Sequence, residues 1–450
     1  MKPCTLEHLH QLFPDSTIVG DPGCRFDGFT IDSRKIEMGN LFIALMTDRD
    51  DGHNYLAQAQ SGGAACALVS RLPENSERWT QSGFSFLVVK DTLSALSQMA
   101  STWRKRFNGP VIAVTGSSGK TTVCRMIATC GDDVNSTRGN FNNHIGLPIS
   151  LLSSNHDAAF SVFELGMSGF GEIAALGRIL QPTIGVITNI GTAHIGLLGS
   201  REGIMQAKLE LAASARTLIV DGDDPALLAA ARHTTRTVIA TGFGAHNDVR
   251  MKDFFSVEGG EYLAQVVLPG ALEAAAFYVP FAQEFQQKNL LLAAAALHAV
   301  GIPYAQMFHG WRQFQPAPLR WEVHHIAGNV WIFDCYNANP DSMKQAVAEL
   351  LKLPAPRIAI LGEMRELGNF SDAKHREVAR SAHGLDFVVT YGEGAQVMAT
   401  ELGAKAIHCT SYTEIVAACA QFHGATFLVK GSRANQLERI LPLIAASNNT

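Results

Sequence analysis

The sequence has no surplus of positive charge. Its 450 residues carry 36 Lys and Arg against 41 Asp and Glu, a formal net charge of -5. A general nucleic-acid binder normally carries a basic excess, so that class is excluded. Small anionic substrates are not excluded, because one or two local cationic sites suffice for them. Eight cysteines are scattered, and none forms a C-x-x-C pair with metal-site spacing. Most lie in apolar surroundings and read as reduced core thiols of a cytosolic protein. There is no long apolar run: the longest, Leu290 to Val300, is Ala-rich and too short to span a bilayer. The opening MKPCTLEHLH lacks the apolar region of a secretory signal, so a cytoplasmic location is expected. Short-period repeats, low-complexity segments and an obvious coiled coil are also missing, which leaves a monomer as the simplest expectation.

What is present is a chain long enough for about two to four domains. Hydrophobic residues make up 47% of it, enough for a large core. Residues 1–108 show short apolar runs broken by Gly, Pro and Asp, as in GDPGCRFDGFTIDSR, and read as a small mixed α/β domain. The polar WRKRFNG, Trp103 to Gly109, marks a boundary. Residues 109–305 open on a buried-type strand, Val111 to Val114, then a Gly-rich turn. A helix pattern follows, with Val123, Met126, Ile127 and Cys130 on one face. The runs Phe160–Leu165, Ile184–Ile187 and Leu218–Val220 alternate with helical stretches, which predicts a mainly parallel sheet. Residues 306–450 repeat that texture with runs at Val330–Phe333, Arg357–Leu361, Phe387–Tyr391 and Phe427–Val429. Gly362 and Gly392 directly follow such a run, and Gly431 follows one after a single residue. That is where a doubly wound, Rossmann-like sheet brings its backbone close to a ligand. The fold class is therefore α/β in three domains.

The strongest local signal is Val114-Thr115-Gly116-Ser117-Ser118-Gly119-Lys120-Thr121-Thr122, set between a predicted strand and a predicted helix. The glycines let backbone N–H groups turn towards phosphate oxygens, and the helix N-terminus favours negative charge. Lys120 can reach terminal phosphates and the Thr121 hydroxyl can ligate Mg²⁺. The general phosphate-loop pattern has Gly at position 114, where this chain has Val. Glu164 ends a strand-like run, where an acid can hold Mg²⁺. His194 follows the next run. By its helical stretch alone, Lys208 reads as a solvated lysine.

Four runs, TGSSGKTT, GNFNNHIGLPISLL, FELGMSGFGEI and ITNIGTAHIGLLGSREGIMQAKLEL, occur in an order and spacing that resembles the central domain of the Mur ligases. The resemblance implies a central ATP-binding domain of the phosphate-loop ATPase kind and two Mg²⁺ ions. Gly116, Ser117, Ser118, Gly119, Lys120, Thr121 and Thr122 would bind ATP. Glu164 and His194 would ligate the second Mg²⁺, with Lys208 carbamylated by CO₂ into an anionic donor. Lys120, His194 and Lys208 would be the catalytic set. Asn142, Asn143 and Asn189 would line the substrate and nucleotide cleft.

Outside the centre, TIDSR (Thr30 to Arg34) and Asp51-Gly52-His53 resemble the UDP-binding domain of these enzymes, with Ser33 and Arg34 as contacts to a UDP-linked substrate. Asp334-Cys335-Tyr336-Asn337-Ala338-Asn339-Pro340-Asp341-Ser342-Met343 is similar to the branch that joins D-alanyl-D-alanine to UDP-N-acetylmuramoyl-tripeptide. It implies Asp334 on the ribose, Tyr336 stacked on adenine, and Asn337 and Asn339 near substrate. The same residues also read as an Asn-rich helix cap. LGEMRELG (Leu361 to Gly368), His375 and LVKGSR (Leu428 to Arg433) fit that branch too. The D-N-P-R signature of the ligases adding diaminopimelate is missing between Glu363 and Arg433.

Two departures stand out. The family's Gly-x-His-Asn-x-x-Asn reads Gln283-Glu284-Phe285-Gln286-Gln287-Lys288-Asn289, which keeps only Asn289. Its Gly-Arg before the third domain reads Leu319-Arg320, which keeps Arg320 as a phosphate contact. The implied reaction is ATP-driven amide formation through an acyl phosphate. Another ligase of the superfamily, from an earlier Mur step or a folylpolyglutamate synthetase, stays open at this point, as does a non-catalytic ATP-binding regulator.

Overall fold

The computed structural model describes residues 4–48, 50–234 and 237–447. The chain forms two compact units. The first comprises residues 1–109, 136–158 and 178–181, and the second comprises 110–135, 159–177 and 182–450.

The first unit is built on a five-stranded sheet in the order Thr17–Val19, Ser85–Val88, Cys66–Val69, Asn40–Ile43, Gly28–Thr30. All its pairings are parallel except that of the Thr17–Val19 edge. Leu41, Phe42, Ile43, Cys66, Ala67, Leu68 and Val69 are essentially inaccessible, as expected for strands covered on both faces. The Thr92–Arg104 helix starts at Asp91, whose carboxylate accepts the N–H groups of Leu93 and Ser94.

The second unit holds two sheets. One has nine strands, with Val111–Thr115 between Phe160–Glu164 and Ile184–Ile187. From Ile184–Ile187 the parallel pairing continues through Thr217–Asp221 and Thr237–Gly242 to Val249–Ser256. There the direction reverses, and Tyr262–Val267 and Ala275–Val279 complete an antiparallel ribbon. The sequence reading of a mainly parallel sheet fits the strands around the phosphate loop but does not contain this ribbon. Its strands are partly exposed, and Val249–Ser256 mixes charged with apolar residues, so no fully buried run announces them.

The Lys120–Ala128 helix buries Val123, Met126 and Ile127, and Cys130 just beyond it is buried as well. It packs beside the 16-residue Glu284–Ala299 helix. Every residue from Leu290 to Leu297 in that helix is buried, because it is covered all round. Among the described residues, no helix is long and apolar enough to cross a membrane. The Tyr304–Arg312 helix joins the same core. Its fully buried Trp311 donates Nε1–H to Met126 O at 2.9 Å and meets Phe277 edge to face. Removing a side chain of that size from a core costs about 3–5 kcal/mol.

The other sheet has six strands, ordered Glu322–Ile326, Asn329–Phe333, Thr426–Lys430, Arg357–Gly362, Phe387–Tyr391, Ala406–Cys409. Only the Glu322–Ile326 edge runs antiparallel. This is a doubly wound layout, and its strand carboxyl ends carry Asp334, Glu363 and Lys430. All eight cysteines are free thiols, six of them buried.

Candidate active site

The site grows from the turn between the Val111–Thr115 strand and the Lys120–Ala128 helix. Gly116 has φ +150°, and a Cβ there would lie 1.8 Å from Thr188 Oγ1. Gly119 has φ +82°, and a Cβ would lie 2.4 Å from Asn289 Oδ1. Both positions therefore exclude any side chain, and Asn289 on the Ala-rich helix closes directly over the loop. Asn289 in turn donates to Gln286 Oε1 at 3.2 Å.

Asn189 braces the loop. Its Oδ1 accepts Ser118 N–H and its Nδ2 donates to Ser118 O, both at 3.1 Å, while its carbonyl accepts Ser117 N–H. Expected to line the substrate and nucleotide cleft, Asn189 lies in the wall of the cavity beside the loop, while its carboxamide is held by the loop it supports. Ser117 Oγ accepts Gly191 N–H at 2.9 Å, and Thr122 is buried in the first turn of the helix.

Lys120 Nζ donates to Gly116 O at 2.9 Å. Burial pushes its pKa below 10.5, Glu164 opposes that shift, and the nearby Arg320 adds to it. Thr121 Oγ1 donates to Glu164 Oε2 at 2.7 Å and accepts from Arg320 Nη2 at 3.0 Å. A hydroxyl and a carboxylate side by side are hard oxygen donors of the kind Mg²⁺ takes. The Arg320 guanidinium lies over the Tyr336 ring, 4.4 Å from its centroid, and its Nε is buried without a partner. One face of the Tyr336 ring, expected against adenine, is thus covered by an arginine.

Lys208 corrects the solvated-face reading. It is 1% exposed, on the same side of its helix as the buried Ile204 and Ala207. Its Nζ has no hydrogen bond or ion pair among the described residues, and burial with Lys120 nearby holds its pKa well below 10.5. His194 adopts φ +64° and places Nδ1 2.7 Å from Glu366 Oε2, outside hydrogen-bond direction. His194 beside it lowers the Glu366 pKa, and burial opposes that. Among the described residues no group of three or more His, Cys, Asp and Glu side chains is arranged to hold a metal. Glu164 and His194 are therefore not a ready ligand set by themselves.

The turn after Asn329–Phe333 meets the loop. Asn339 caps the Pro340–Leu351 helix in a reciprocal capping box with Ser342, and its Nδ2 also donates to Ser118 Oγ at 3.0 Å. It serves both as helix cap and as loop contact. Asp334 pairs with the buried Lys430 at 2.6 Å. Lys430 also reaches the Asn337 carbonyl at 3.4 Å, and Asn337 Oδ1 accepts Ala338 N–H. A cavity of about 330 Å³ runs from Ser118, Gly119 and Asn289 past Arg320 and Asp334 to Phe285, Gln286 and Lys288. Lys288 is held there by Asp221 at 3.0 Å and Asp223 at 3.6 Å.

Four candidates lie in the first unit. Ser33 Oγ donates to Gln58, and the exposed Arg34 fork is bidentate on Asp32 at 2.8 and 2.9 Å. Asn143 Oδ1 accepts Ile145 and Gly146 N–H groups at the start of the Gly146–Leu152 helix, and Asn142 lies in the turn before it. Thr188, Asp341 and Glu366 fall inside runs quoted from the sequence but have no role assigned there; only the fold shows what they touch.

The chain matches a family model described as Mur ligase middle domain over residues 114–297, and one described as Mur ligase, glutamate ligase domain, over residues 319–433. It is 35% identical over 432 residues to the UDP-N-acetylmuramoyl-tripeptide–D-alanyl-D-alanine ligase of Bacillus subtilis (strain 168), covering 92% of each. A crystal structure of MurF from Acinetobacter baumannii superposes with TM-score 0.89 at 30% identity, covering 99% of each chain. The MurF ligase from Thermotoga maritima in complex with ADP superposes with TM-score 0.82 at 26% identity, covering 93% of this chain and 97% of that one.

Proposed function

This chain belongs to the Mur ligase family, and from that premise we propose that it joins D-alanyl-D-alanine to UDP-N-acetylmuramoyl-tripeptide, with ATP converted to ADP and phosphate. The full-length likeness to relatives named for that reaction supports the choice of branch. The observation that carries the chemistry is the meeting of Lys120, Thr121 and Arg320 at one end of the phosphate loop. Two cations held close together in a desolvated site are stabilised by a polyanion.

The reaction has two displacements. A carboxylate oxygen of the tripeptide attacks the γ-phosphorus of ATP, and ADP leaves. The amine of D-alanyl-D-alanine then attacks the acyl carbon, the bond from that carbon to the phosphoryl oxygen breaks, and inorganic phosphate leaves as the amine loses a proton. The protein's part is positioning and neutralisation. The Gly116–Thr122 loop wraps the phosphates. Lys120 and Arg320 neutralise them, and the arriving negative charge restores the proton affinity that burial takes from Lys120. The cavity lined by Asn289, Asp334 and Phe285 takes the nucleoside.

Mg²⁺ bound at this site supplies neutralisation of the phosphate oxygens. Thr121 and Glu164 would hold one ion. Glu164, His194 and a carbamate on Lys208 would hold a second. The unpaired, uncharged form of Lys208 suits attack on CO₂, which gives the carbamate and releases a proton. The missing anionic oxygen then comes from the modification itself. Ser33 and Arg34 would contact the UDP end after exchange of their present partners. Asn142 and Asn143 would face the precursor, and Asn337 and Asn339 the reacting end.

By this division, residues 1–108 bind the precursor, 109–305 bind ATP and 306–450 close over it, in a monomeric enzyme of the cytoplasm, where ATP and UDP-linked precursors are made. The test is phosphate release from ATP and Mg²⁺ with each acceptor alone and with both, followed by product mass. Release without a product of the dipeptide-extended mass sends the assignment to another acceptor of the superfamily.

A further inference from the structure

We propose that Tyr336 is a positioning residue for Arg320, holding its guanidinium against the phosphate loop, and is not a platform for the nucleotide base. The proposal rests on the reading of this site as one for a nucleoside triphosphate. The ring contact with the guanidinium is close, at 4.4 Å from Cζ to the centroid. Tyr336 N–H also donates to Leu319 O at 3.1 Å, so the tyrosine is tied to the Arg320 segment by main chain as well as by side chain. Tyr336 does not line the nucleoside cavity, whose apolar wall comes from Phe285 and Ala348.

The chemistry of the pair explains why an aromatic ring is suited to the task. No carboxylate pairs with Arg320 among the described residues. A carboxylate would orient the guanidinium but cancel its charge. A ring face orients the planar cation through its quadrupole and leaves the charge available to an incoming phosphate. The backbone serves the same placement. Leu319 and Trp321, on either side of Arg320, have φ +61° and +58°, a region that such side chains rarely occupy. Strain of that kind persists where neighbouring contacts over-determine the conformation. Here Leu319 N–H donates to Glu322 Oε2 at 2.9 Å, and Arg320 N–H donates to Ala317 O. The arginine is presented with one nitrogen on Thr121 and its Nε buried and unpartnered.

The experiment compares two ligands on the full-length enzyme, ATP and inorganic tripolyphosphate, which has the phosphates without the base. Dissociation constants and ligation kinetics are measured for wild type, Tyr336→Phe, Tyr336→Leu, Arg320→Ala and the Arg320→Ala/Tyr336→Leu pair. Tyr336→Phe, which keeps the ring, stays within about threefold of wild type in both affinities. Tyr336→Leu weakens ATP and tripolyphosphate by the same factor, roughly tenfold. It lowers kcat as well, and adds nothing further in the Arg320→Ala background. If Tyr336→Leu weakens ATP while tripolyphosphate binding is unchanged, the ring is a base platform and the proposal is wrong. Additive losses in the double variant overturn it too. Should Tyr336→Leu fail to fold, Tyr336→Met, a flexible chain without a ring, takes its place under the same expectations. Wild-type turnover tests the functional reading. Tripolyphosphate binding tests this one separately, because it requires no ligation.

Discussion

Asp341 accepts both the N–H and the hydroxyl of Thr192 through a single carboxylate oxygen, at 2.6 and 2.7 Å. Thr192 lies two residues before His194, and the preceding Gly191 donates to Ser117 of the phosphate loop. A Cβ on Gly191 would lie 2.7 Å from that same carboxylate. The first turn of the Pro340–Leu351 helix is thereby pinned to both the phosphate loop and the His194 turn. Asp341→Ala should lower the ligation rate roughly tenfold, the value of one or two charge-assisted hydrogen bonds. Thr192→Val, which keeps the N–H, should cost less, and Thr192→Ser almost nothing. Steady-state kinetics of the three variants check this; an Asp341→Ala enzyme within twofold of wild type contradicts it.

Lys120→Ala should leave the fold intact, since among the described residues its ammonium bonds only the Gly116 carbonyl. Its loss should reduce turnover by about 10²–10³-fold, the scale for deleting one preorganised electrostatic contact. Circular dichroism and phosphate release, measured on one preparation, decide the matter. Retained wild-type turnover refutes the role given to Lys120.

Lys208 carries a stability prediction with a pH signature. Its folded-state pKa lies well below the free value of 10.5 because of burial and then Lys120. Between those two values the unfolded chain holds a proton that the folded chain lacks, so stability rises with pH towards 10.5. Lys208→Met removes that cost. It should raise the melting temperature at neutral pH, with a gain that shrinks as pH approaches 10.5, while abolishing ligation. Bicarbonate should stabilise the wild type and not the variant, because a modification made only in the folded state shifts unfolding by mass action. Equal bicarbonate effects on both proteins would remove the support for a carbamate.

His375 ties the Glu363–Glu366 turn to pH. It is fully buried, its Nε2 accepts Met364 N–H at 3.0 Å, and its Nδ1 faces Ser371 O at 2.8 Å. These partners fit a neutral ring with the proton on Nδ1. Burial holds its pKa below 6.5, with the Ser371 contact opposing. A depressed folded-state value means the contribution is complete above 6.5 and is lost as pH falls from 6.5 through the folded value. Wild type should therefore lose melting temperature below that point more steeply than His375→Gln. Parallel curves for the two proteins would show that His375 does not carry the acid sensitivity.

The legible part of the sequence was the part with local periodicity or fixed spacing. Val111–Thr115, Phe160–Glu164 and Ile184–Ile187 were visible as strands because both faces are buried and every position but the terminal Glu164 is apolar or small. The Val249–Ser256 strand was not, because its half-exposed face admits Arg250, Lys252 and Asp253. The Tyr304–Arg312 helix lies near the expected boundary at 305, but its Trp311 seals the central core, a long-range fact that local texture does not contain. The phosphate loop was readable from its spacing. What Asn189, Tyr336 and Lys208 touch was not, since each meets side chains or backbone far away in sequence. Periodicity alone also leaves a buried helix lysine indistinguishable from a solvated one.

The central claim is tested most directly by one assay: phosphate release from ATP and Mg²⁺ with UDP-N-acetylmuramoyl-tripeptide, with and without D-alanyl-D-alanine, read together with product mass. The account predicts release only when both acceptors are present, and a product heavier than the tripeptide precursor by the dipeptide less one water. A folded, ATP-binding protein that releases no phosphate with both acceptors, or releases it without that mass gain, contradicts the account.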